Sequence, residues 1–261
     1  DRSVSRGLGD VYKRQIFQTC KYTCIYTIII SELERLKVGR YHFIAIGGIG
    51  MSGLAKYLLE DGHTVSGSDI ADSKYIDKLR ELGAQVKIGH NEANLSDDTD
   101  IVVISTAIRE NNPELLKARQ LGIPVYHRSD LLEEIAKTAQ QSGKCFIGFS
   151  GTHGKTTTSG LASFVLDKAG LEPSFVDGGI IPDINTNAQH RAGKHFIAEL
   201  DESDGTIVKY SPDILVINNL EEDHIDHYKN GMPDLVKTFN QEIVQSKKAV
   251  SYTHLTLPTI A

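Results

Sequence analysis

The chain has 261 residues, 40% hydrophobic and 24% charged, with no Trp and 7 Pro, a composition that predicts a soluble globular protein with a real core and, at roughly 150 residues per domain, one to two domains. Lys plus Arg number 28 against 34 Asp plus Glu, a net charge of −6, which argues against the basic face of a nucleic-acid binder but leaves room for local positive charge and small anions. Three Cys make no disulfide framework and fit a reducing, cytoplasmic setting. The apolar stretch 16–30 is too short and too polar to span a bilayer, so no membrane insertion is expected.

Both ends are set aside before any fold reasoning. Val4–Gln15 reads VSRGLGDVYKRQ and Val250–Thr259 reads VSYTHLTLPT. The codons GAT GTG TAT AAG AGA CAG encode Asp10–Gln15, and their reverse complement in a shifted frame encodes Val-Ser-Tyr-Thr-His-Leu. The two ends therefore resemble translated sequencing adapters in opposite orientations. Residues 1–35 are expected to be a non-native or disordered leader and 250–261 a non-native tail.

The first predicted strand is Tyr41–Ile46, followed by a glycine-rich turn and a helix over Met51–Glu60 with Leu54, Tyr57 and Leu58 at helical spacing. Thr64–Asp69 reads as a strand, Ile76–Leu82 as a helix closed by Gly83, and Gln85–Ile88 and Ile101–Ile104 as further strands. The last of these is apolar throughout, as expected of a parallel sheet covered on both faces. Pro113 opens a helix to Leu121, Val125-Tyr126 is a short strand, and Ser129 is placed to cap a helix through Ala136. The polar run Thr138–Gly143 reads as a linker. A second cycle begins with the strand Cys145–Phe149 and a helix over Thr156–Ala169, with later strands at His195–Leu200 and Ile214–Asn218.

Two glycine clusters carry chemistry. Gly48-Ile49-Gly50-Met51-Ser52-Gly53 matches G-x-G-x-x-G between a strand and a helix, where backbone N–H groups can approach a diphosphate at the helix N-terminus. Asp69, 21 residues after Gly48, is placed to accept from a ribose hydroxyl. The pattern admits a dinucleotide or another nucleotide diphosphate such as a UDP-sugar. Ser105, Thr106 and Ala107 follow a strand at its carboxyl end and are weaker substrate-binding candidates.

The second cluster, Gly151-Thr152-His153-Gly154-Lys155-Thr156-Thr157, supplies a triphosphate nest, a Lys for the β/γ oxygens and a Thr hydroxyl for Mg²⁺. It departs from the full P-loop spacing, because position 149 is Phe. Downstream, Glu199 ends an apolar strand near Asp201-Glu202-Ser203-Asp204, and His224 follows another strand. Both fit a metal site beside a P-loop, with solvated turns as the plain alternative; no Cys pair or His-Glu-x-x-His spacing favours zinc.

Taken together, GGIGMSG at 47–53, SGSD at 66–69, GTHGKTT at 151–157, ELDESD at 199–204 and DHID at 223–226 resemble the Mur ligase family over about Leu36–Ala249. The resemblance implies an α/β chain with a Rossmann-like UDP-sugar-binding domain over 36–140 and an incomplete P-loop ATPase, the family's central domain, over 144–249. Among family members, those joining L-alanine to UDP-N-acetylmuramate in bacterial peptidoglycan synthesis are most similar; the murein-tripeptide recycling branch is less so, having Tyr where Ser203 stands. It further implies ATP and Mg²⁺ as cofactors, with UDP-N-acetylmuramate and L-alanine as substrates. Lys155 would hold the transferring phosphoryl group, and Thr156, Glu199 and His224 would ligate metal, with Lys155, Glu199 and His224 as the catalytic set. Gly48, Ile49, Gly50, Met51, Gly53 and Asp69 would hold the UDP part. The stretch after Gly179, IIPDINTNAQHRAG, diverges where sugar contacts are expected. A nicotinamide-dependent oxidoreductase would explain the first cluster but not the second. A non-catalytic nucleotide-binding module is the remaining alternative, and oligomeric state is not legible.

Overall fold

A computed structural model describes residues 38–202, 205–221, 228 and 230–251. The first half is an all-parallel sheet of β1 (Arg40–Ile44), β2 (Thr64–Asp69), β3 (Gln85–Ile88), β4 (Ile101–Ile104) and β5 (Val125–His127), in the order β3-β2-β1-β4-β5. Helices α1 (Ile49–Glu60), α2 (Lys74–Glu81) and α3 (Pro113–Leu121) connect strands of this sheet, and α4 (Arg128–Gln141) leads from β5 into the second sheet. Val102 and Val103, successive residues on opposite faces of β4, are both fully buried, the consequence of helices on both sides. Local signals set the helix ends. Asn112 accepts at its side chain from the Glu114 and Leu115 N–H groups, Pro113 occupies the first turn, and Gly122 ends α3 at φ +70°.

The second sheet contains β6 (Cys145–Ser150), β7 (Ser174–Ile181), β8 (Thr186–Gln189), β9 (His195–Glu199), β10 (Ile214–Ile217) and β11 (Ala249–Ser251). The order is β11-β10-β6-β9-β7-β8, parallel except for the β7–β8 hairpin. Helix α5 (Lys155–Lys168) follows β6, and α6 (Met232–Gln245) precedes β11. From Arg40 onward the described chain is one compact unit. Its largest core cluster joins Phe43, Leu54 and Tyr57 of the first half to Phe146, Phe196 and Phe239 of the second.

Several expectations change. The run 138–143 is not a linker: α4 continues to Gln141 because its apolar face continues, with Ala139 buried. Gln140 is meanwhile held by the Ser211 carbonyl (3.0 Å) and Asp213 (3.1 Å). The cap of α4 is His127, not Ser129; its ring accepts from the Ser129 N–H while Asp130 accepts from the His127 N–H. The divergent stretch after Gly179 completes β7 and forms β8. Val250 and Ser251, expected in the tail, pair with Val216 and Ile217. That ladder is made by backbone groups and their side chains are exposed, so side-chain pattern could not announce it. The expected leader, 1–35, and the rest of the expected tail, 252–261, lie outside the described residues.

Candidate functional site

Two glycine-rich turns lie at strand ends, each opening a helix. In the first sheet, α1 starts at Ile49 with Gly48 as its cap, where β1 and β4 adjoin and the strand order reverses direction, the switch point at which open sheets bind ligands. A cavity of about 570 Å³ opens there. It is lined by Gly48, Ile49, Gly50, Met51 and Asp69, and by Ser105, Thr106 and Ala107 beyond β4. Gly53 is not in the lining. It lies buried in the second turn of α1, where an added Cβ would sit 2.7 Å from Asn187 Nδ2. Its missing side chain gives room for packing against the β7–β8 hairpin.

Asp69 is also more engaged than its spacing suggested. Its Oδ2 accepts from the Gly47 N–H at 2.7 Å and its Oδ1 from the Ala71 N–H at 3.4 Å, so the carboxylate holds the glycine turn in place while lining the cavity. His90, on the same wall, is hydrogen-bonded through Nδ1 to Ser68 Oγ at 2.9 Å. Ser68 in turn donates to the fully buried Glu114 at 2.6 Å. Burial alone would raise the Glu114 carboxyl, but hydrogen bonds from His42, Ser68, Asn94 and the Asn91 N–H hold it down at about 2.

In the second sheet, the chain leaves β6 and turns into α5 through Gly151 (φ +128°) and Gly154 (φ +77°). A Cβ on Gly151 would lie 2.9 Å from the Asn219 carbonyl. The first N–H groups of α5, from Lys155 onward, have no acceptor within the helix, and such groups suit an anion. Lys155 Nζ donates to the Gly151 carbonyl at 2.9 Å and pairs with Glu202 at 2.7 Å. Glu202 is fully buried; burial pushes its carboxyl up and Lys155 opposes that.

Two of the expected phosphate-binding residues spend polar groups elsewhere. The Thr152 hydroxyl and the His153 N–H both donate to Asn219 Oδ1 at 2.9 Å. Asn218 Nδ2 donates to the His153 carbonyl and to Thr158 Oγ1. The two asparagines follow β10 and brace the turn, a role sequence reading missed.

Glu199 ends β9 beside the P-loop strand, its Oε2 accepting from the Gly178 N–H at 2.9 Å. Cβ atoms on Gly178 and Gly179 would strike the Glu199 carboxylate and, at 2.8 Å, the Thr156 methyl. Thr156 and Glu199 thus flank the same pair of glycines. Asp177 joins them, its carboxyl pushed up to about 6 by burial against hydrogen bonds from Ser159 Oγ (2.6 Å) and the Gly179 N–H (3.0 Å). No sequence pattern singled it out. His224, expected as a metal ligand, lies outside the described residues. Among the described residues no group of three His, Cys, Asp or Glu is placed to hold a metal, and no helix is long and apolar enough to cross a membrane.

A switch-point cavity on one parallel sheet and a Gly-Lys-Thr turn between strand and helix on the next define an α/β protein built around two glycine-rich turns. The Mur ligase catalytic domain matches residues 40–140 and the Mur ligase middle domain residues 149–249. The chain belongs to the Mur ligase family. It is 46% identical over 216 residues to the UDP-N-acetylmuramate–L-alanine ligase of Carboxydothermus hydrogenoformans, covering 83% of this chain and 45% of that protein. It is 45% identical over 203 residues to the corresponding ligase of Pelobacter propionicus, covering 78% and 43%. The UDP-N-acetylmuramate–alanine ligase of Thermotoga maritima superposes with a TM-score of 0.75 at 31% identity, over 84% of this chain and 50% of that one. The chain therefore spans about half the length of the curated relatives it matches. The nicotinamide oxidoreductase alternative finds no support in these similarities.

Proposed function

We propose that this chain carries the nucleotide-sugar and ATP-binding parts of a cytoplasmic ligase that joins L-alanine to UDP-N-acetylmuramate at the expense of ATP. The observation that carries the reading is the pair of anion turns, with Lys155 and Glu199 at the second, in a chain about 45% identical to ligases of that name. The γ-phosphoryl group of ATP passes to the muramoyl carboxylate, breaking the bond to ADP and forming an acyl phosphate. The amine of L-alanine then attacks the acyl carbon, loses a proton and expels phosphate to leave an amide.

Lys155 and the first N–H groups of α5 stabilise charge on the transferring phosphoryl oxygens. Glu202 and the Gly151 carbonyl fix the ammonium in place before the reaction starts. Gly48–Met51 present N–H groups to the diphosphate, Asp69 shapes their turn and faces the ribose, and Ser105–Ala107 close the cavity. Thr156, Glu199 and His224 are the residues that would hold Mg²⁺, through oxygen and imidazole donors. When bound, the ion neutralises phosphate charge. Titration calorimetry with UDP-N-acetylmuramate and with Mg-ATP tests the reading. Each should bind at its own site, NAD should not, and a chain that binds neither ligand would overturn it.

A further inference from the structure

We infer that Arg128 is the diphosphate-binding cation of the nucleotide-sugar cavity, an assignment that rests on the function proposed above. The cavity lining contains two carboxylates, Asp69 and Asp72, and one permanently positive side chain, Arg128. The carboxylates are committed. Asp72 is gripped by Arg80 with both oxygens at 2.9 Å, and Asp69 accepts from the glycine turn. A ligand with two phosphate charges therefore meets compensation from the α1 N-terminus and from Arg128 alone among the described lining residues.

The guanidinium is placed for that task. Arg128 Nη1 lies 3.4 Å from where a Cβ on Gly50 would stand, directly over the middle glycine of the turn that approaches phosphate. Nη2 donates to Asp201 Oδ2 at 2.9 Å. Asp201 comes two residues after Glu199 on the second sheet, and Arg128 also lines the small cavity that Glu199, Asp177 and Asp201 share. One edge of the guanidinium is thus tethered to the acidic loop of the ATPase half, while the other edge faces the substrate half. A planar five-donor fork can serve both at once, which a lysine ammonium cannot do with the same geometry. The backbone fixes where the side chain emerges. Arg128 is the first residue of α4, held by the reciprocal capping of His127 and Asp130.

Calorimetry with UMP and UDP on the parent chain and on Arg128→Met and Arg128→Lys tests the assignment, with melting temperature as the folding control. The parent should gain affinity from UMP to UDP, and that gain should fall as salt rises. Arg128→Met should weaken UDP at least tenfold and change UMP less than twofold. Arg128→Lys should fall between, and it keeps the test decisive if the Met variant does not fold. Binding of Mg-ATP should not change in either variant. UDP binding equal to the parent in both variants, or an equal loss of UMP and UDP, would overturn the assignment while leaving the nucleotide-sugar reading intact. A parent chain that binds neither UMP nor UDP would instead sink that reading itself.

Discussion

Lys155 is the residue on which stability and the proposed ATP binding are most closely joined. Its partner Glu202 is fully buried, and a buried carboxylate that loses its cation is left uncompensated. Lys155→Ala is therefore expected to cost roughly 3 kcal/mol of folding stability in addition to abolishing tight ATP binding. The two losses should separate. Adding Glu202→Gln to Lys155→Ala removes the orphaned charge, so chemical denaturation should show stability largely restored while calorimetry shows ATP binding still lost. Recovery of ATP binding in the double variant would mean that Lys155 only packs. The lysine itself was legible in the sequence, because Gly-Lys-Thr between a strand and a helix is a local pattern. Asn219, Asp177 and Arg128 were not. Asn219 reaches His153 across 66 positions of sequence, and only the strand order of the sheet brings them together. Gly53 was legible as a glycine, but its packing against Asn187 was not, since a sequence pattern cannot distinguish a glycine cleared for phosphate from one cleared for a side chain.

At the scale of elements, the parallel strands and their helices followed from apolar runs and capping residues, and the failures have a common form. The β7–β8 hairpin carries Gly178-Gly179 and Pro182, which break strand alternation for reasons belonging to Glu199 and Thr156. Helix α6 buries Leu235, Phe239 and Glu242 along one stripe, so a carboxylate stands where the helical pattern asks for an apolar residue. Burial pushes Glu242 up to about 8, with the neighbouring Glu202 carboxylate adding to the shift and the Ser150 hydroxyl opposing it. The sign follows from linkage. Between the usual carboxyl range and about 8, the unfolded chain has given up a proton that the folded chain keeps, so stability falls as pH rises through that window. Glu242→Gln, a neutral near-isostere, should flatten the dependence and stabilise the protein by at least about 1 kcal/mol at pH 8. Denaturant melts of the two proteins at pH 5 and pH 8 check this. An equal pH slope in both would show that Glu242 is ionised in the fold.

For the whole molecule, two matched family regions suggest two independent bodies, but the packing argues for one cooperative unit. Helix α1 of the first half lies against the β7–β8 hairpin of the second. Asn187 Nδ2 donates to the Ile49 carbonyl and Lys56 Nζ to the Ala188 carbonyl, both at 2.7 Å. Beneath these bonds the Tyr57 and Phe196 rings meet edge to face at 5.7 Å, within a core cluster that runs through both sheets. Separating the halves would expose this apolar surface and leave the Asn187 amide without its carbonyl, a cost of several kcal/mol that neither half recovers alone. Heating should therefore produce one transition, and a ligand at either site should raise the melting temperature of the whole. At a hundredfold excess over Kd, either nucleotide contributes about 2.7 kcal/mol, which for a chain of this size is a rise of roughly 5–10 °C. The two rises should be close to additive when UDP-N-acetylmuramate and a non-hydrolysable ATP analogue are present together. Differential scanning calorimetry decides the matter: two resolved transitions, each answering to only one of the ligands, would show that the halves melt independently and that the shared core does not couple them.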